Sequence, residues 1–235
     1  MYFVQTQIFF TFCLSAILTA LLIFPIQAAS DIIETIEDDI QSWRLEDARA
    51  KINALSMNVK SHPKTLYLEG RLLFFEGEYS RSLETLRKAI EGNKTDLGWK
   101  QFRDQVEEST RVFESMAKET GISERFVYRY SSDFDKILIS YAESALTTQL
   151  QILSEIFTDN PKCTIEIAFL PNIESLSAVS GLSQEQIEKT GTVGITKYAR
   201  IMIISPQSLL NGYPWLDTLA HELTHLIVTR VSKDR

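Results

Sequence analysis

Two of the three histidines in this 235-residue chain stand four positions apart near its C-terminus, in Leu216-Asp-Thr-Leu-Ala-His-Glu-Leu-Thr-His-Leu-Ile-Val228. The run reads as a helix, and on a helix a four-residue step stacks His221 and His225 on one face with β-carbons about 6 Å apart. Two imidazole nitrogens so placed can converge on one Zn²⁺ at about 2.0–2.1 Å each. Glu222 is turned roughly 100° from His221. From there it can approach a water beside the metal, take its proton as general base and return it to a leaving amine. Zinc suits this chemistry because it lowers the pKa of water towards about 7 and polarises a scissile carbonyl. The plainer alternative is an amphipathic helix with two buried histidines and an incidental glutamate. It leaves three ionisable groups in an apolar setting without a task, which is costly.

Other reactive side chains have simpler readings. Asp217 falls in the first turn of the same helix, after Gly212-Tyr-Pro-Trp, where a carboxylate favours the free N–H groups and the macrodipole; it is a weak candidate as a ligand. His62, in Lys60-Ser-His-Pro-Lys64, reads as a solvated turn residue. Cys163 opens a buried strand as a small core residue, with no cause for a lowered pKa. Cys13 lies in an apolar N-terminal stretch, and once that is removed no intrachain disulfide can form.

The elements that position the histidine helix follow from a change of pattern past Gly121. Arg125 to Tyr130 alternates as a half-buried strand does, and Asp135 to Phe157 places Ile137, Tyr141, Ala145, Leu150, Leu153 and Phe157 on a helical face. Thr164 to Leu170 returns to β-branched residues. Ser183 to Gln186 forms a capping box, Thr190 to Tyr198 and Arg200 to Ile204 read as a strand pair, and Ser205-Pro206 caps a further helix. The expectation is a small mixed sheet with a long helix on one face.

Residues 31 to about 120 read instead as helices. Segments around Ala48 and Ser82 align at an offset of 34 residues, which also pairs Leu45 with Tyr79, Ile52 with Leu86 and Leu55 with Ala89. That is the tetratricopeptide period. The second copy resembles the motif well: Gly70 and Ser82 permit a tight crossing, Gly77 ends the first helix, and Tyr79, Leu86 and Ala89 fill the seam. The first copy is degenerate, with Ile36 where the second has Gly70, and a third is missing. Trp99, Phe102, Val106, Phe113 and Met116 predict an amphipathic helix from about Leu97 to Lys118 that caps the array. Two repeats are fewer than the roughly three usually needed for independent stability, so the helices are expected to lean on the mixed region past Gly121. They are either a spacer or a groove for a protein partner.

Residues 1–29 lack charged side chains, and the apolar run from Ile8 to Phe24 ends at Pro25 and is followed by Ile-Gln-Ala-Ala-Ser30. This reads as a secretory signal peptide cut after Ala28 or Ala29, or as an uncleaved signal anchor touching the membrane. Either places Asp31 onwards outside the cytoplasm, in the periplasm or cell envelope. With 24 Lys+Arg against 31 Asp+Glu the net charge is −7, which argues against a nucleic-acid partner; 44% hydrophobic residues suffice for a sizeable core.

The stretch Glu188-Lys-Thr-Gly-Thr-Val-Gly-Ile-Thr-Lys-Tyr198, then Ile203-Ile-Ser-Pro206, then Gly212 to His225 resembles the peptidase-MA-like, gluzincin-type domain of bacterial envelope proteins that carry tetratricopeptide repeats. The resemblance spans about Glu124 to Arg235. It implies an α+β fold, His221 and His225 as zinc ligands, Glu222 as catalytic base, and hydrolysis of a peptide or protein substrate. It also implies that the strand around Gly191, Thr192, Val193 and Gly194 is a sheet edge along which an extended peptide adds. Family members supply a third ligand from a glutamate on a later helix. Beyond Leu226 the sequence offers Asp234 as its only acidic residue, and the metzincin positions for Gly and a third His hold Val228 and Val231. The expectation is thus a metallopeptidase domain represented by its N-terminal part. The alternative is a non-catalytic envelope scaffold with a vestigial peptidase domain.

Overall fold

The computed structural model describes residues 31–158, 161–162 and 164–232. The N-terminal run expected to direct export, Cys163 and Asp234 lie outside the described residues. The described residues open with a helix, α1, over 31–41, followed by α2 (Leu45–Ala54), α3 (Met57–Lys60), α4 (Pro63–Phe75), α5 (Tyr79–Gly92) and α6 (Leu97–Glu114). Next come β1 (Ala117–Thr120), β2 (Phe126–Tyr130), α7 (Asp133–Phe157) and β3 (Ile165–Leu170). The remainder is α8 (Ile173–Ser180), α9 (Gln184–Thr190), β4 (Gly194–Lys197), β5 (Arg200–Ile204), a 3₁₀ turn (Pro206–Ser208) and α10 (Trp215–Val231). The protein is mixed α+β.

Helices α4 and α5 form an antiparallel pair whose crossing depends on Gly70. A β-carbon there would lie 2.7 Å from Leu86 Cγ and 3.3 Å from the Leu86 backbone nitrogen, so only glycine lets the two backbones approach. The buried Ser82 hydroxyl donates to the Gly70 carbonyl at 2.7 Å, and Gly77, at φ +82°, takes the left-handed turn between the helices. His62 caps α4, its ring nitrogen accepting from Lys64 N–H at 3.3 Å. Trp99, Val106 and Phe113 on α6 are buried as the periodicity predicts, but the helix stops at Glu114. Residues 117–120 are not its last turn; they form edge strand β1, antiparallel to β2.

The five strands run in the order β1-β2-β3-β5-β4. β2, β3 and β5 are parallel, and β1 and β4 are antiparallel edges. The sheet is covered on both faces, so β2 is not half-buried: Phe126, Tyr128 and Tyr130 pack on one side while the buried Arg129 faces the other. On the first side α7 and α10 bury Ile165, Ile167, Phe169, Ile201 and Ile203. On the second, Ala168, Leu170, Met202 and Ile204 share one continuous core with α1, α2, α4–α6, α8 and α9. Each fully buried Leu, Ile or Phe contributes about 1.5–3 kcal/mol, so the helices and the sheet stabilise each other.

α7 follows the expected stripe in its C-terminal half, where Leu150 and Leu153 are buried and Phe157 packs on the core, but departs from it in its N-terminal half. Leu138, Ile139, Ala142, Leu146, Leu150 and Leu153 are buried, while Ile137 and Tyr141 are exposed. Ser183 and Gln186 close the expected capping box on α9. That helix runs through Thr190, so β4 starts later than expected, at Gly194. β4 and β5 are joined by the two-residue turn Tyr198-Ala199, both residues at positive φ (56° and 59°). Tyr198 holds this conformation while its ring packs against Phe74, Phe75 and Phe102 of the helical layer.

Candidate active site

The histidine helix α10 is fixed at both ends. Before it, Tyr213 donates its hydroxyl to the Ile204 carbonyl at the end of β5, and burial pushes the pKa of that hydroxyl up, which keeps it a donor. Trp215 in the first turn meets Phe169 of β3 edge-to-face, with ring centroids 6.1 Å apart. In the last turn Arg230 forms an ion pair with Glu46 of α2 at 2.6 Å and donates to the Trp43 carbonyl at 2.6 Å. Between these anchors Leu219, Leu223, Leu226 and Ile227 face the core.

His221 and His225 occupy the opposite face and are exposed, not buried as an apolar setting for the run implied. Their rings meet edge-to-face, and the two Nε2 atoms lie 2.9 Å apart, sharing one hydrogen bond. Ligands of one tetrahedral zinc at about 2.0–2.1 Å each stand about 3.3 Å apart, so a small opening of this pair accommodates the ion. The two nitrogens fit zinc as a pair. Among the described residues no third His, Cys, Asp or Glu completes a three-ligand group, and Asp217 stays out of it.

Glu222 points to the side of α10 that faces the sheet edge. It is 8% exposed, and its carboxylate has no hydrogen-bond or ion-pair partner among the described residues. Its stem packs towards β4, while its carboxylate oxygens keep contact with solvent on the same helix as the two converging imidazoles. Thr196 of β4 donates to the Glu222 carbonyl at 2.8 Å and holds strand and helix together.

Gly194 makes that close packing feasible. A β-carbon on it would lie 2.7 Å from Thr218 Cγ2, 3.1 Å from Ile203 Cγ2 and 3.5 Å from Glu222 Cγ. The four residues expected at the peptide-binding edge thus have different places. Gly191 is the left-handed cap of α9 (φ 66°), Thr192 and Val193 link it to the strand, and Gly194 opens β4. Val193 accepts from Ile204 N–H at 2.8 Å and therefore faces β5. Because antiparallel hydrogen bonding alternates along the strand, Gly194 and Thr196 turn their backbone N–H and C=O to the open edge. Those are the groups an added strand would pair with.

Thr196, Thr218 and Arg230 escaped the sequence reading. A signal existed for the first two: a glycine inside a strand marks a close backbone approach, and here the approaching element is the histidine helix. No protein-family model, curated protein or solved structure matches this chain.

Proposed function

We propose that this protein is a zinc metallopeptidase of gluzincin type that hydrolyses peptide bonds at a centre built on His221, Glu222 and His225. The observation that carries the reading is the convergence of two imidazole nitrogens at 2.9 Å on a helix whose intervening glutamate has a carboxylate with no partner among the described residues. Zinc would be held by Nε2 of His221 and of His225, and when bound it supplies a lowered pKa for water and polarisation of the scissile carbonyl. Glu222 takes the proton of the attacking water and delivers it to the leaving amine nitrogen, roles that its reach from the helix side allows. The outward N–H and C=O groups of Gly194 and Thr196 pair with an extended substrate and set its scissile bond over the histidines. A catalytic zinc normally takes three protein ligands, so the reading requires a third from outside the described residues.

We read α1–α6 as two tetratricopeptide-like hairpins and a capping helix; the Gly70–Ser82 crossing supports the second of them. We also infer a site of action in the cell envelope, outside the cytoplasm, from the apolar N-terminal run. Expressed with its own N-terminus in a bacterial host, the protein should fractionate outside the cytoplasm and lose about 3 kDa if cleaved. Recovery of a soluble, full-length cytoplasmic product would contradict export.

The lack of a third ligand among the described residues favours a second reading, a scaffold whose peptidase domain is vestigial and whose helices bind a partner protein. A quenched-peptide assay on the zinc-loaded chain separates the two. Zinc-dependent cleavage that Glu222→Gln abolishes without loss of metal supports the peptidase; full activity of Glu222→Gln removes the mechanism. Tight zinc with no cleavage favours the scaffold.

A further inference from the structure

On the side of α10 away from β4, a groove of about 740 Å³ runs between α10 and α7. Its walls include Tyr141, Ala145 and Thr148 from α7 and Leu216, Asp217 and Ala220 from α10. It adjoins the histidines directly: Ala220 precedes His221 in the chain, and Asp217 lies one helical turn before it. Asp217 is the single charged residue of the lining, is exposed, and has no hydrogen-bond or ion-pair partner among the described residues. The other polar walls are hydroxyls and an amide, Ser140, Ser144, Thr148 and Gln149, and they bring no competing cation.

We propose that this groove is a side-chain subsite for a lysine or arginine of the bound peptide, whose charge is taken by Asp217. The chemistry of the lining points to such a side chain. A long aliphatic stem lies along Tyr141, Ala145, Leu216 and Ala220, while the cationic head meets the carboxylate at the rim. Distance points the same way. A peptide paired to the edge of β4 is separated from the groove by α10, a helix about 10 Å across with its side chains, and only a long, flexible side chain reaches over it. An acidic side chain in the same place would meet Asp217 as a like charge.

The functional meaning of this subsite rests on the hydrolytic reading of His221, Glu222 and His225, but its occupancy does not, so the two are tested apart. Fluoresceinyl-Ala-Ala-Xaa-Ala-Ala-amide peptides, with the dye on the N-terminal amine and Xaa Lys, Leu or Glu, are titrated against the full, metal-free chain by anisotropy. The lysine peptide should bind about three- to fivefold more tightly than the leucine one, the scale of an exposed ion pair, and the glutamate peptide most weakly. Asp217→Asn should erase the difference between lysine and leucine, and Ser144→Lys, which sets a fixed cation in the groove, should reverse it. Equal affinity for the three peptides, absence of binding, or a lysine preference that survives Asp217→Asn would overturn the proposal. A zinc-loaded cleavage assay on the same peptides reports on the other reading: no cleavage with the lysine preference intact removes the hydrolytic centre and leaves the subsite.

Discussion

At the scale of residues, the contrast between Glu222 and its two neighbours defines the site. The histidines face solvent and touch each other, whereas the glutamate is buried against β4 without a partner among the described residues. A carboxylate that contributes no pairing to the fold has a measurable signature. Glu222→Met, similar in volume, removes a carboxylate that no described residue pairs and should leave the metal-free protein at least as stable, read as a melting temperature in chelator that is unchanged or higher. A lower melting temperature would show that Glu222 has a structural role, and the argument from its unpaired carboxylate would lapse. This trio was legible in the sequence because a four-residue spacing on a helix fixes the face. Their exposure was not, since hydrophobic periodicity around an apolar helix does not say which side another element covers.

At the scale of elements, the decisive contact is between β4 and α10, and Gly194 sets its distance. Gly194→Ala pushes a methyl group to 2.7 Å from Thr218 Cγ2 and 3.1 Å from Ile203 Cγ2. Overpacking of this kind costs about 1–3 kcal/mol and displaces the strand from the helix, so peptide binding should weaken with stability. Thr218→Ser removes the first of those atoms while keeping the hydroxyl that donates to the Pro214 carbonyl. The double variant should recover part of the loss in a denaturant-unfolding cycle; strict additivity would place the strain elsewhere. The strand pair, the long helix and the capping box were all readable from periodicity and turn chemistry. The buried face of α7 was not, because Ile137 and Tyr141 form an apolar stripe as regular as Leu138, Ala142 and Leu146, and period alone does not rank two stripes.

At the scale of the whole molecule, a buried ionic cluster joins the helices to the sheet. Arg129 of β2 donates to Glu166 of β3 at 2.9 Å and to the Phe113 carbonyl at 2.8 Å. The fully buried Arg200 of β5 donates to Tyr79 of α5 at 2.7 Å and lies over the rings of Phe74, Tyr79 and Phe113. Burial alone would raise the Glu166 pKa, but the Arg200 and Arg129 guanidiniums outweigh it and hold the carboxyl below its ordinary value. The stabilisation this gives is present above the unfolded carboxylate value of about 4.3 and is lost as pH falls through the lower folded value. Glu166→Gln leaves two buried cations uncompensated. It should cost about 3–5 kcal/mol at neutral pH and flatten the acid limb of the stability profile; an unchanged acid limb would show that other carboxylates govern it. Because the core is shared, residues 31–114 expressed alone should give no cooperative thermal transition, and a sharp one would show an independent domain. The dependence of the helices on the sheet followed from the count of repeats. The cluster did not, because Arg129, Glu166 and Arg200 alternate with apolar residues as the solvent face of an ordinary strand would.

The claim that His221 and His225 hold one zinc ion is tested most directly by calorimetric titration of zinc into the purified chain beside His221→Ala and His225→Ala. One zinc per chain is expected, with each substitution weakening binding by about tenfold or more and leaving the melting temperature of the metal-free protein unchanged, since both rings are exposed. Zinc affinity that is the same in all three proteins, or absent from the unsubstituted chain, would contradict the assignment of a zinc centre to these two histidines.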